Sequence, residues 1–88
     1  MVDLLDFNKL NEKDFFILKV LHTKDCSIRE IALESDKYLD YDLFRSIKKL
    51  MATEMVTAEK VGREKVLSST GKGRDNYTYY EMIKEVVW

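Results

Sequence analysis

Eighty-eight residues suffice for one domain with one modest core, and 45% hydrophobic against 35% charged residues is the balance of a folded chain, not of a disordered tail. One cysteine and one histidine exclude an internal disulfide and leave too few ligands for a structural zinc. The net charge of −1 argues against a nucleic-acid binder only until its distribution is read. Residues 1–44 hold six Lys/Arg against ten Asp/Glu, a net −4, whereas residues 45–75 hold eight against four, a net +4. Such asymmetry is what a basic surface on a nearly neutral domain produces, although chance segregation of charge gives the same pattern.

The helix starts share one grammar. Asn11 is placed to cap a helix near 11–23, with Leu10 and Phe15 spaced as a hydrophobic staple. That helix carries "FFILKVL", apolar almost all round, as befits the central helix of a domain. His22, near its end, suits the negative pole of the helix dipole. Ser27 caps a short second helix near 27–35, with Glu30 completing a capping box and Cys26 and Ile31 as the staple. A thiol beside a helix N-terminus invites a redox reading, but the staple position favours Cys26 as a small packed hydrophobe. Asp40 is expected to cap the third helix, near 40–53, between Leu39 and Phe44.

The third helix is amphipathic. At about 100° per residue, Leu43, Phe44, Ile47, Leu50 and Met51 fall within an arc of roughly 120° and are assigned to the core. Arg45 and Lys49 lie opposite, with Tyr41, Asp42 and Ala52 beside them and Ser46 and Lys48 flanking. After Met55, "MVTAEKV" and "EKVLS" are rich in β-branched residues and separated by "GR", which predicts a hairpin near 55–61 and 64–68. Gly62 supplies the positive φ of the turn, and Lys60, Arg63 and Lys65 sit at or near a tip diluted by Glu59 and Glu64. Residues from about 70 to 88 read as a last helix. Tyr79, Tyr80, Met82, Ile83, Val86 and Val87 spread over roughly 160° of its circumference, wider than one small core requires. The surplus face calls for the same helix of a second subunit, or for folding back over the first helix; the dimer is the preferred expectation.

This order, three helices, a two-stranded hairpin and a helix, resembles a winged-helix DNA-binding domain of the kind found in small MarR-like and PadR-like transcriptional regulators. "SIKKLMATEMV" is similar to the end of that family's recognition helix, and "LSSTGKG" to the leucine, hydroxyl residue, two variables and glycine that close its wing. The resemblance runs from residue 11 to about 75. It departs where the family often has a glycine between recognition helix and strand, here Glu54-Met55, and where Asp42 stands in place of a Ser or Thr. The chain is too short for the extra helices that build a ligand pocket in larger members.

The resemblance implies an α+β, mostly helical winged helix-turn-helix over residues 1–88, with the helix from about 70 as a dimerisation element. It implies that the third helix lies in a major groove, where arginine and lysine meet guanine or phosphate. Arg29, Tyr41, Asp42, Arg45, Ser46, Lys48, Lys49, Lys60, Arg63 and Lys65 are the expected DNA-facing set. Asp42 either orients Arg45 or accepts from a cytosine amine. The partners expected are double-stranded DNA and a second copy of the chain, with no small-molecule ligand and no cofactor. No catalytic constellation stands out, and "TGKG" lacks the P-loop spacing, so enzymatic activity is not expected. With no apolar run of about 18 residues and no leader pattern, a cytoplasmic protein is expected. The rival readings are a winged helix that docks proteins through its acidic half or its last helix, and one that binds RNA or a polymerase.

Overall fold

The computed structural model describes residues 4–35 and 37–87, with side chains as far as Lys84. Five helices and one hairpin follow in order: α1 Leu4–Asn8, α2 Glu12–Thr23, α3 Ile28–Leu33, α4 Asp40–Ala52, β1 Val56–Val61, β2 Glu64–Ser69 and α5 Gly71–Val87. The winged helix-turn-helix expected from the sequence is present, preceded by one helix, α1, that the sequence did not announce. Two starts follow their local chemistry. Asn11 accepts from the Asp14 N–H while the Asp14 carboxylate accepts from the Asn11 N–H, a closed capping box. Ser27 and Glu30 repeat it at α3.

The third start differs from expectation. Leu39, in extended backbone, holds the N-cap position of α4 without a side-chain cap, and Asp40 is the first helical residue. The preceding turn is fixed instead by Ser35, whose hydroxyl accepts from the N–H groups of Lys37 and Tyr38. Asp40 still places its charge at the positive end of the helix.

The central helix is α2, which packs against α4, α5 and β2. Ile17, Leu18 and Leu21 from it meet Ile31, Leu43, Ile47, Leu50, Met55, Val56 and Leu67 in one core cluster. Cys26 belongs to that cluster and pairs with Leu67 through two backbone hydrogen bonds, adding a third, one-residue rung to the hairpin sheet. The buried arc of α4 is Leu43, Ser46, Ile47 and Leu50, turned by about 50° from the expected one. Phe44 and Met51, assigned to the core from periodicity, are 44% and 42% exposed. Ser46, assigned to the outer face, is buried.

The passage from α4 into β1 is the tightest in the chain. Met55 N–H bonds to the Leu50 carbonyl and Glu54 N–H to that of Met51, the paired bonds of a Schellman motif, with Leu50 and Met55 both fully buried beneath. Glu54 occupies the left-handed position that normally falls to glycine, at φ 63°. Thr70 then clasps the corner: its N–H donates to the Met55 carbonyl and its hydroxyl to that of Glu54. The same hydroxyl accepts from the Gly73 N–H and so starts α5. Gly73 lies so close that a Cβ would overlap the Met55 carbonyl oxygen, whereas a Cβ on Gly71 would meet open space. At the other end of the hairpin Gly62 turns with φ 63° and Val61 faces Glu64, the two-residue connection expected.

Two consequences are measurable by urea unfolding. Glu54→Gly relieves a left-handed residue and is expected to stabilise the fold by about 1 kcal/mol; unchanged stability would mean that Glu54 is held without strain. Gly73→Ala is expected to destabilise by about 2–3 kcal/mol through overpacking, while Gly71→Ala costs nothing. Equal effects at the two glycines would contradict the close crossing.

Candidate nucleic-acid interface

The outer side of α4 mixes cations with exposed aromatic surface. Tyr41 is 68% exposed, and the Arg45 guanidinium lies over its ring at 5.9 Å from the centroid. One turn on, the Lys48 ammonium stands 4.8 Å from the Phe44 ring centre. These two cation–π pairs place Tyr41, Phe44, Arg45 and Lys48 in one strip along the helix, with Met51 at its far end. Asp42, the third helical residue, is half-buried at the edge of the strip. Asp42 is the residue expected to orient Arg45, but the guanidinium lies over Tyr41 instead. Arg29 of α3 is exposed and shares a surface hollow with Leu39 and Tyr41, which brings it to the start of α4.

Lys49 has a different place. Its ammonium pairs with the fully buried Asp14 carboxylate at 2.5 Å and donates to the Lys9 carbonyl at 3.0 Å. The side chain therefore ties α4 to the first turn of α2 and to the end of α1. Ser46 is packed inside the same junction and is not presented outward. Two of the ten residues that the sequence placed on a DNA-facing surface thus serve the inside of the protein. The signal for Lys49 was available only as Asp14, a carboxylate immediately before the apolar run that starts at Phe15.

On the wing, strand pairing sets Lys60 directly opposite Lys65 and Glu59 opposite Val66. Side chains alternate across the pleat, so Lys60 and Lys65 share the face of Ala58 and Leu67, while Glu59, Val61 and Glu64 take the other. Arg63 lies in the exposed turn. The tip that reads as mixed in sequence is divided in space into a basic face and an acidic one.

The last helix folds back over its own chain. Tyr80 stacks on Phe15 with ring centres 4.0 Å apart, and Tyr79 meets Phe7 edge-on at 4.8 Å. Phe7 also touches Phe15, and Asp6 accepts from Lys72 at 2.5 Å, which holds the Asp6 carboxyl below its usual range. Phe7 of α1 and Phe15 of α2 thus engage Tyr79 and Tyr80, two of the six residues assigned to a second subunit. Met82 remains 60% exposed and Ile83 half-buried. Val86 and Val87, the other two residues expected at a dimer contact, lie outside the described side chains.

Two ionisable groups remain. Burial pushes the Cys26 thiol up, with Glu30 adding to it, so the packed, protonated state fits the staple role. Burial and a 2.7 Å hydrogen bond donated to Glu81 push the Tyr77 phenol up to about 12. Among the described residues no three His, Cys, Asp or Glu side chains are grouped to hold a metal ion, and no helix is long and apolar enough to cross a membrane.

No family model matches the sequence, and no curated protein does. Solved structures do. AF1382 from Archaeoglobus fulgidus is 25% identical, with a TM-score of 0.77 over 89% of this chain and 90% of its own. A PadR family transcription regulator from Clostridium difficile R20291 is 20% identical, with a TM-score of 0.75 over 86% of this chain and 94% of its own. Lactococcus lactis ZitR, in a mutant form, is 20% identical at a TM-score of 0.77, and this chain spans only 53% of its length. The adhesin competence repressor of Streptococcus pyogenes is 18% identical at 0.72, with 63% of its length matched. The chain has the winged-helix fold that these structures share.

The inward role of Lys49 has a direct test. Lys49→Ala leaves a buried carboxylate unpaired, a loss of about 3–5 kcal/mol for a fully buried pair, reduced to about 2 kcal/mol because the lysine side chain is 37% exposed. Arg45→Ala, on the outer strip, is expected to change stability by less than about 0.5 kcal/mol. Equal losses in chemical denaturation would remove the distinction between them.

Proposed function

We propose that this chain is a transcriptional regulator that binds double-stranded DNA sequence-specifically, with α4 in the major groove and the wing on the backbone. The observation that carries the reading is the outer strip of α4, where Arg45 and Lys48 are exposed and braced by aromatic rings on the helix that this fold offers to DNA. The basic face of the wing, with Lys60 and Lys65 side by side, extends the same charge toward a phosphate backbone. Arg29 and Arg63 complete the cationic outline, and Asp42 at the edge of the strip bears on base choice more than on affinity.

A homodimer belongs to the same proposal. Two copies would place their α4 helices in successive major-groove segments about 34 Å apart and call for a pseudo-palindromic site. Because Tyr79 and Tyr80 are engaged within the chain, the contact between copies falls to the exposed Met82, to Ile83 and to the C-terminal turns, with Val86 and Val87.

One feature favours a second reading, a winged helix that docks another protein. Leu33 and Leu39 are 80% and 73% exposed beside the α3–α4 turn. Failure to be retained on heparin or duplex DNA at low salt would decide for it.

Binding to duplexes selected from a random pool, measured across salt concentrations, tests the main reading. Lys60→Ala, Arg63→Ala and Lys65→Ala are each expected to lower the slope of log affinity against log salt by about 0.9. Arg45→Ala and Lys48→Ala are expected to cost about 1–3 kcal/mol on the selected site and less on random DNA. Unchanged affinity and slope across the whole set would sink the assignment of this face.

A further inference from the structure

Two apolar residues on the outer strip of α4 have no role in folding that the core explains. Phe44 and Met51 are 44% and 42% exposed, seven positions apart and so on one line of the helix, with Tyr41 beside them. Core packing does not use this surface, yet its placement is specific: each aromatic ring carries a cation, Lys48 over Phe44 and Arg45 over Tyr41.

We infer that Phe44, with Tyr41 and Met51, reads thymine C5-methyl groups in the major groove, so that the DNA sites recognised are rich in A·T pairs at the positions facing α4. The inference rests on the DNA-binding reading above and specifies its target. A thymine edge presents a methyl group next to the O4 acceptor, and the adenine paired with it presents N7. A ring with an ammonium 4.8 Å from its centre matches that edge, apolar surface on the methyl and a donor on the neighbouring acceptor. A guanine edge would satisfy Lys48 through O6 or N7, but it would leave Phe44 against polar groups with no methyl to cover.

Charge decides what else could cover the strip. A protein surface apolar enough to bury Phe44 and Met51 would also take the Arg45 and Lys48 cations out of water, which is costly unless each is paired. The groove of a polyanion supplies acceptors around every methyl group. The exposed Lys60 and Lys65, side by side on one face of the wing, point to the same occupant.

The test uses three duplex polymers of equal length, poly(dA-dT), poly(dA-dU) and poly(dG-dC), titrated with the intact protein at one low salt concentration. Uracil differs from thymine only by the methyl group, and phosphate contacts are common to all three. A methyl covered by apolar surface is worth roughly fourfold in affinity, so two per site predict about fifteenfold tighter binding to poly(dA-dT) than to poly(dA-dU). Phe44→Ala is expected to shrink that ratio to about half or less, and to weaken binding to poly(dG-dC) less than binding to poly(dA-dT). Phe44→Leu, which keeps apolar surface, is expected to retain part of it. Equal binding to the thymine and uracil polymers, or a ratio that Phe44→Ala leaves intact, overturns the methyl reading and leaves DNA binding standing. No binding to any of the three overturns both.

Discussion

The ion pair between Lys49 and Asp14 is the constraint on which the geometry of the exposed face depends. Asp14 already closes the capping box of α2, so its carboxylate sits at the positive end of that helix and is fully buried. A buried carboxylate demands a cation, and Lys49 is the one that reaches it, while its remaining hydrogen atoms find the Lys9 carbonyl. Because the lysine lies at the edge of α4, satisfying it fixes how far that helix is rotated about its axis. The rotation then follows down the helix. Ser46 is drawn into the junction, where a small side chain lets the helices approach, and Phe44 and Met51 are turned out of the core toward solvent. An interior electrostatic requirement thereby determines which residues are displayed.

A second constraint joins this face to the wing. The Schellman bonds end α4 at Thr53, Thr70 ties the corner to the start of α5, and Gly73 lets the two backbones cross. Cys26 pairing with Leu67 attaches the hairpin base to the segment before α3. The wing is therefore anchored at three points near its base, and only its distal half, from Glu59 to Lys65, is free of the trunk. Its lysine pair keeps a defined position relative to α4, which a mere loop with the same charges would lack.

Local chemistry was legible in the sequence and long-range chemistry was not. The cap at Asn11, the capping box at Ser27, the two-residue turn at Gly62 and the amphipathic stripe of the third helix all arise within a few residues and are legible directly, whereas the part Asp14 takes in the first box is not. The element order, and with it the winged-helix resemblance, followed from these. Helix α1 was missed because its five residues carry no period; Phe7, Asp6 and the Lys9 carbonyl hold it through contacts with Phe15, Tyr79, Lys72 and Lys49. Periodicity located a buried stripe on α4 but not its centre, since Phe44, Met51 and Ser46 stand at its two margins, and the contacts with α2, the Lys49–Asp14 pair among them, decide which margin is covered. Asp40 looked like a cap because a carboxylate before an apolar run usually is one, and here the turn is held by Ser35 instead. Thr70 and Gly73 belong to the stretch that closes the wing, yet the reason for them, a backbone crossing at Met55, lies some fifteen residues upstream.

The near-neutral net charge, which first argued against a polyanionic partner, acquires a physical explanation from where the acids go. Asp14 is enclosed by Lys49, Asp6 is bound to Lys72, and Glu30 is folded onto Ser27. Asp40 and Asp42 stand in the first turn of α4, where the helix dipole offsets them. These acids account for half of the ten in residues 1–44; three are bonded to a group of the same chain, and the other two face the helix dipole. The cations answering them are Lys49, Lys72 and backbone donors, not Arg45, Lys48, Lys60, Arg63 or Lys65. Net charge counts the two populations together, but a ligand approaching α4 and the wing meets chiefly the second. A chain can carry as many acids as bases and still present a basic face, provided its acids are occupied in holding the helices in place.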